Sequence, residues 1–274
     1  MAEARVNGVR LYYELHGHGA PLLCLHGLQG DSSHFRGLLP ALGRAHRTLV
    51  FDQRGSGRSD KPATDLTSAL LADDAAALMD AVGFESAHVF GVSMGGMIAQ
   101  ELALRHPGKV RSLILGCTRA GGPTAVPVAE DPAFAVAYSQ QEIPAEERAR
   151  AFARVTFTDG YLEKNPGIVE RLAAARRERP LDPEAFRRRR QAIDRHDTYE
   201  RLPSIRCPTL ILTGRQDKIV AWENSRILAE RIPGARLEIL EPAGHLFWME
   251  QAEETEKAVL SFLSQQEPLP RRRA

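Results

Sequence analysis

Gly91-Val92-Ser93-Met94-Gly95 places a hydroxyl between two glycines, and the chemistry that pattern offers is nucleophilic attack on a carbonyl carbon. A serine held on a sharp strand-to-helix turn needs glycine two positions away on either side. Larger side chains there would collide with the neighbouring strand and helix. Three fixed positions recur by chance in about one chain in ten of this length, so the flanking residues have to carry the argument. Ala87-His88-Val89-Phe90 reads as a strand, and Met97, Ile98, Ala99, Leu102 and Leu104 form the apolar face of a helix that stops at Pro107-Gly108. Val110 to Leu115 then reads as the next strand, so residues 87–116 make one parallel βαβ crossover.

A serine hydroxyl is a weak nucleophile near neutral pH and needs a base within hydrogen-bond reach, itself oriented by a third group. In an open parallel sheet such groups gather at the carboxyl ends of strands. Asp217 follows the apolar run Thr209-Leu210-Ile211-Leu212 through Thr213-Gly214-Arg215-Gln216. His245 follows Leu237-Glu238-Ile239-Leu240 through Glu241-Pro242-Ala243-Gly244. The expected nucleophile, acid and base are therefore Ser93, Asp217 and His245. Gly116-Cys117-Thr118, another place for the acid, holds no carboxylate. Among rival histidines, His26 is expected to be structural, His16 and His18 lie in an opening loop, and His106 ends a helix. His196, beside Asp197, competes most strongly for the base or for a place on the pocket wall, but a loop outside the sheet is a poor platform for a base.

Attack on a carbonyl builds negative charge on oxygen, which calls for backbone donors aimed at it. Met94 N–H opens the helix after the nucleophile, where amides lack partners, and Leu28 N–H follows the turn His26-Gly27. These two are the expected oxyanion hole. Asp52-Gln53-Arg54-Gly55-Ser56-Gly57-Arg58-Ser59-Asp60 lacks the lysine of a nucleotide-binding loop and is expected to be a turn shaping the wall beside the site.

The elements that must hold these groups are short apolar runs separated by helical patterns. Pro21 to Leu25, Arg47 to Phe51, Ala87 to Val92, Arg111 to Leu115, Thr209 to Leu212 and Leu237 to Leu240 read as strands. Those covered on both faces mark a parallel sheet. Arg10 to Leu15, after the Asn7-Gly8 turn, belongs to an opening antiparallel hairpin. Helices are expected at Phe35 to Leu42, Leu66 to Val82, Ile98 to Arg105, Asn224 to Arg231 and Thr255 to Leu263, giving a doubly wound α/β core.

From Thr118 to Pro203 the strand rhythm stops, and Glu146 to Val155, Gly167 to Arg177 and Pro183 to Ile193 read as helices. The expected division is a discontinuous core, 1–117 and 204–266, interrupted by a helical cap over 118–203. A frayed tail over 267–274 completes it.

With 274 residues, 43% of them hydrophobic, the chain can bury a sizeable core, and a formal charge of +1 gives no footprint for nucleic acid. No apolar run is long enough to cross a membrane and the N-terminus lacks the apolar stretch of a signal peptide, so a cytoplasmic protein is expected. Cys24, Cys117 and Cys207 have no metal-ligand spacing and read as buried free thiols. The run Arg187-Arg188-Arg189-Arg190 points around more than one helical turn, so most of it should be solvated.

Leu25-His26-Gly27, Asp52 to Ser59, Gly91 to Gly95, Asp217 and His245 together resemble the signature set of the α/β-hydrolase superfamily. Within it, Ser93 to Gln100 and Thr198 to Thr213 are most similar to the group that holds carboxylesterases, 3-oxoadipate enol-lactonases and cofactor-free haloperoxidases. The resemblance implies the α/β-hydrolase fold, a Ser93–Asp217–His245 triad and an oxyanion hole. It implies hydrolysis of a small-molecule ester or lactone through an acyl-enzyme, without metal or organic cofactor. Hydrolysis of a carbon–carbon bond in a vinylogous diketone, perhydrolysis as a side activity, and a slow-turnover ligand sensor are the alternatives on the same fold.

Overall fold

The computed structural model describes residues 2–127, 131–139 and 143–266. Eight strands, β1 (Ala2–Val6), β2 (Val9–His16), β3 (Ala20–Leu25), β4 (His46–Phe51), β5 (Ala87–Val92), β6 (Val110–Gly116), β7 (Thr209–Gly214) and β8 (Arg236–Leu240), form one sheet in the order β1-β2-β4-β3-β5-β6-β7-β8. The β1–β2 and β2–β4 pairings are antiparallel and the rest are parallel. Asn7 and Gly8, both at positive φ (47° and 77°), make the tight turn of the opening hairpin.

The helices are α1 (Leu39–Leu42), α2 (Ser68–Ala81), α3 (Met94–Arg105), α4 (Pro132–Ala137), α5 (Ala145–Thr156), α6 (Asp159–Lys164), α7 (Ile168–Glu178), α8 (Pro183–Asp194), α9 (Glu223–Arg231), α10 (Phe247–Glu250) and α11 (Ala252–Ser264). Strand alternation sorts the core into two layers. Leu23, Leu25, Val89, Leu113 and Ile211 join the cluster of α2, α3 and α9, which includes Leu71, Ile98 and Leu228. Leu22, Cys24, Phe90, Ile114 and Leu212 face the other way and join Val259 and Phe262 of α11. The sheet is therefore wound on both faces, as the unbroken apolar runs require.

Two local expectations change. Phe35 to Leu42 is not one helix. A single helical turn over Ser32–Phe35, capped by the Asp31 carboxylate accepting from Ser33 N, is followed by the short α1. Gly37 weakens the span and Pro40 fits only the first turn of a helix. Between β6 and β7, the structure adds α4 and α6, each of six residues, to the three expected helices. Both start at local caps, Asp131 and Thr158, rather than from a long apolar periodicity. Among the described residues the segment contributes no strand to the sheet, only the isolated bridge Gly121–Asp197. No described helix is long and apolar enough to cross a membrane. The expected tail, 267–274, lies outside the described residues.

Candidate active site

Ser93 stands between the last residue of β5 and the first of α3 with φ 54° and ψ −121°, a conformation that L side chains rarely adopt. The surroundings leave no room to relax it. A Cβ on Gly91 would lie 2.3 Å from Gly95 O, and one on Gly95 would lie 1.9 Å from Leu25 O, so only glycine fits at either flank. Ser93 N–H donates to Gly116 O at 2.8 Å, and the Thr118 hydroxyl donates to Ser93 O at 2.7 Å. The turn is thus tied to the end of β6.

Asp217 and His245 sit on the loops after β7 and β8, as their spacing predicts. Asp217 Oδ1 accepts from Ile219 N (2.8 Å) and Val220 N (2.9 Å), leaving Oδ2 to meet His245 Nδ1 at 2.7 Å. The two loops are joined by Gln216 N to Ala243 O (2.9 Å) and Arg215 N to Leu240 O (3.1 Å). Glu250 braces the histidine loop from below, accepting from Gly244 N at 2.8 Å and from Thr158 N at 3.1 Å. With Nδ1 committed to the carboxylate, Nε2 is the ring nitrogen left to exchange a proton. Burial pushes the His245 pKa down, but the Asp217 carboxylate, with Cys117 adding to it, outweighs burial and holds the imidazole well above its ordinary value.

Ser93 and His245 open onto one cavity of about 270 Å³. Gly27 and Leu28 border it near Ser93, and Tyr138, Phe152, Leu172 and Trp248 give it apolar walls. Among the described residues neither Leu28 N–H nor Met94 N–H has a hydrogen-bond acceptor, the state expected of donors kept for a ligand.

Three residues that the sequence does not single out belong to this neighbourhood. Cys117, read above as an ordinary buried thiol, is buried and free, but its Sγ, an Asp217 oxygen and a His245 nitrogen all lie within 4.8 Å of one another. Burial pushes its thiol pKa up, so at neutral pH the group is an uncharged neighbour of the imidazole and a poor metal ligand. The missed signal is its position, one residue past the end of β6. His34 lines the cavity against Trp248, ring centroids 5.0 Å apart, and burial pushes its pKa down to about 4.

Arg189 is the third, and it corrects the expectation that the arginine run is mostly solvated. It is 1% exposed, Arg188 is also buried, and only Arg187 and Arg190 are partly open to solvent. Arg189 donates to Gln53 Oε1 (2.9 Å) and Arg54 O (3.2 Å), with longer contacts at 3.4 Å to Gly27 O and Leu28 O. Burial pushes its pKa down to about 10. Buried Ala185, Arg189 and Ala192 follow helical spacing along α8, so the signal was present but masked by charge.

The loop Asp52 to Asp60 also differs from expectation. None of it borders the cavity. It packs behind the His26 turn, where Gln53 Nε2 donates to His26 O (3.0 Å) and Ser56 Oγ lies 3.2 Å from His26 Nε2. His26 is structural, as expected, with Nδ1 2.8 Å from Gly27 O and burial pushing its pKa down to about 3. His196 is buried against the Ser68 hydroxyl at 2.8 Å and does not border the cavity, so it joins α8 to α2 instead of lining the pocket. Cys24 is buried and free as expected, whereas Cys207 is only partly buried.

A model of the α/β hydrolase fold matches residues 20–252. The chain belongs to that family. It is similar to a putative carbamate hydrolase RutD from Caulobacter sp. (strain K31), 32% identical over 96% of this chain and 98% of that one. It is also similar to a 2-hydroxy-6-oxo-6-phenylhexa-2,4-dienoate hydrolase from Comamonas testosteroni, 28% identical over 97% and 95% of the two chains. Among solved structures it resembles the enol-lactonase from Burkholderia xenovorans LB400, with a TM-score of 0.84, 28% identity, and coverage of 96% and 100%. These relatives differ in the bond they are named for and share the full length of the fold. The α/β-hydrolase assignment read from the glycine-flanked serine therefore stands.

Proposed function

We propose that this α/β hydrolase is a serine enzyme that cleaves a small carboxylic ester or lactone through an acyl-enzyme. The observation that carries the reading is the pairing of a strained Ser93 with an Asp217-bonded His245 on one small cavity. In this reading 1–117 and 204–266 are the catalytic core and 118–203 is a cap that roofs the site.

Ser93 Oγ attacks the carbonyl carbon while His245 Nε2 takes its proton. Asp217, held by two backbone amides, keeps the proton on Nδ1 and stabilises the imidazolium that forms. The negative oxygen of the tetrahedral intermediate is received by Leu28 and Met94 N–H. His245 then protonates the leaving alkoxide, and a water activated by the same nitrogen releases the acid. Every proton is returned, and the chemistry calls for no metal or cofactor.

The test is a panel of short-chain p-nitrophenyl esters and simple lactones with wild type and Ser93→Ala, joined to mass detection of an acyl adduct on the Ser93 peptide. Turnover by Ser93→Ala at the wild-type rate would overturn the reading. Carbon–carbon hydrolysis is the second reading, favoured by the similarity to the Comamonas dienoate hydrolase. It would show as cleavage of a vinylogous diketone at a kcat/KM well above that for any ester.

A further inference from the structure

Three guanidinium groups, Arg148 on α5 and Arg176 and Arg179 at the end of α7, border the same cavity as Ser93 and His245. Two are engaged by the protein. Arg179 pairs with Asp31 at 3.0 Å, and Arg148 donates to Ser139 O at 2.6 Å. Arg176 differs: among the described residues its one polar partner is the neutral side chain of Gln29, whose Oε1 accepts at 3.0 Å, and no carboxylate lies within ion-pair distance.

Burial pushes the Arg176 pKa down to about 10; Arg148 and Arg179 add to the effect and Asp31 opposes it, so among the described residues the guanidinium of Arg176 is left without a paired anion. A partly desolvated guanidinium has a large unmet demand for an anion, and its planar fork matches a carboxylate best. The rest of the wall includes apolar Ala149, Phe152 and Leu172, and Arg148 and Arg179 are already held by Ser139 O and Asp31, so Arg176 is the guanidinium best placed to receive a ligand's anion.

We propose that Arg176, oriented by Gln29, is a carboxylate subsite, and that the substrate is an ester or lactone carrying a free carboxylate besides the bond that is cut. The inference rests on the ester or lactone reading above and deepens it. The substrate spans two poles of one cavity, its reacting carbonyl at Ser93 and its anion at the α7 wall. A cavity of about 270 Å³ holds only a small molecule of this kind. Gln29 follows Leu28 directly, so the residue that positions the anion site adjoins the expected oxyanion donor.

The experiment compares matched pairs that differ in charge: monomethyl adipate against dimethyl adipate, and 4-acetoxybutanoate against its methyl ester. Together they place the carboxylate in the acyl or in the alcohol portion. Wild type is expected to prefer the anion by tenfold or more in kcat/KM for at least one pair. That ratio should fall to near one in Arg176→Gln and survive in part in Arg176→Lys, with circular dichroism confirming that both fold. A ratio near one in wild type, or an unchanged ratio in Arg176→Gln, overturns the subsite while leaving ester hydrolysis standing. If no ester is cleaved, the ester reading fails separately, and calorimetric titration with adipate decides the subsite. Binding that Arg176→Gln abolishes supports it; absent or unaltered binding overturns it.

Discussion

Arg189 on α8 reaches the carbonyl of Gly27, 162 positions away in the chain, on the peptide whose N–H belongs to Leu28. In a trans peptide C=O and N–H point in opposite directions, so holding the carbonyl on one side aims the amide to the other. His26 Nδ1 (2.8 Å) and Gly30 N (3.2 Å) meet the same carbonyl. The expected oxyanion donor is therefore oriented from behind by a buried cation that does not border the cavity.

Replacing Arg189 tests that arrangement. Arg189→Met leaves Gln53 Oε1 and Arg54 O without their buried donor and should cost about 2–4 kcal/mol in urea denaturation. In the folded fraction kcat should fall more than KM rises, because a misaimed Leu28 amide weakens transition-state binding before substrate binding. Equal loss in Arg189→Lys and Arg189→Met would show that the fork geometry matters; a KM effect alone would contradict the positioning role.

The pH profile follows from His245. Its folded pKa is held above the ordinary 6.5, and the base works only when neutral, so the acid limb of kcat/KM should lie above pH 6.5. Because Asp217 stabilises the imidazolium only in the folded chain, that contribution to stability is fully present below pH 6.5. It is lost as pH rises through the folded value. Asp217→Asn should lower kcat by about 10⁴ and move the acid limb downward, since burial then acts without the carboxylate. An acid limb that stays in place would show that another group sets it.

Cys117 offers a second test of the same profile. Cys117 adds to the rise of the imidazole pKa behind Asp217, so Cys117→Ala should move the midpoint of the acid limb downward, by less than Asp217→Asn does. An unmoved midpoint would show that Asp217 alone holds the imidazole up.

Glycine at the turn is a steric requirement and can be measured as one. Gly95→Ala drives a Cβ into the Leu25 carbonyl, which is backbone and cannot turn aside, and should cost about 3 kcal/mol or more. Gly108→Ala meets nothing within 4 Å and should stay within about 0.5 kcal/mol of wild type. Similar unfolding midpoints for the two variants would refute the steric account.

Legibility divides along the range of the interaction. Strands β3 to β8 and the positions of Ser93, Asp217 and His245 were readable because each depends on local pattern: an apolar run, then a polar residue one to a few positions past its end. The surroundings of Arg176, Arg189 and Cys117 are not readable from the sequence, since they come from packing between distant segments. Arg189 had a helical signal in Ala185 and Ala192, but four consecutive arginines read as solvent-facing until the helix is placed. Asp52 to Asp60 reads as a turn on the wall of the site, but its place behind His26 rather than on the cavity depends on how β4 meets β3.

The Gln53–Arg189 bond has a consequence for anyone exchanging parts between relatives. A roof transplanted from another hydrolase would bring its own α8 but find Gln53 and the Arg54 carbonyl waiting in the recipient for a donor that no longer arrives. The boundary proposed at 118–203 is crossed in space by this shared anchor, so chimeras are expected to keep function only when both halves of it are moved together.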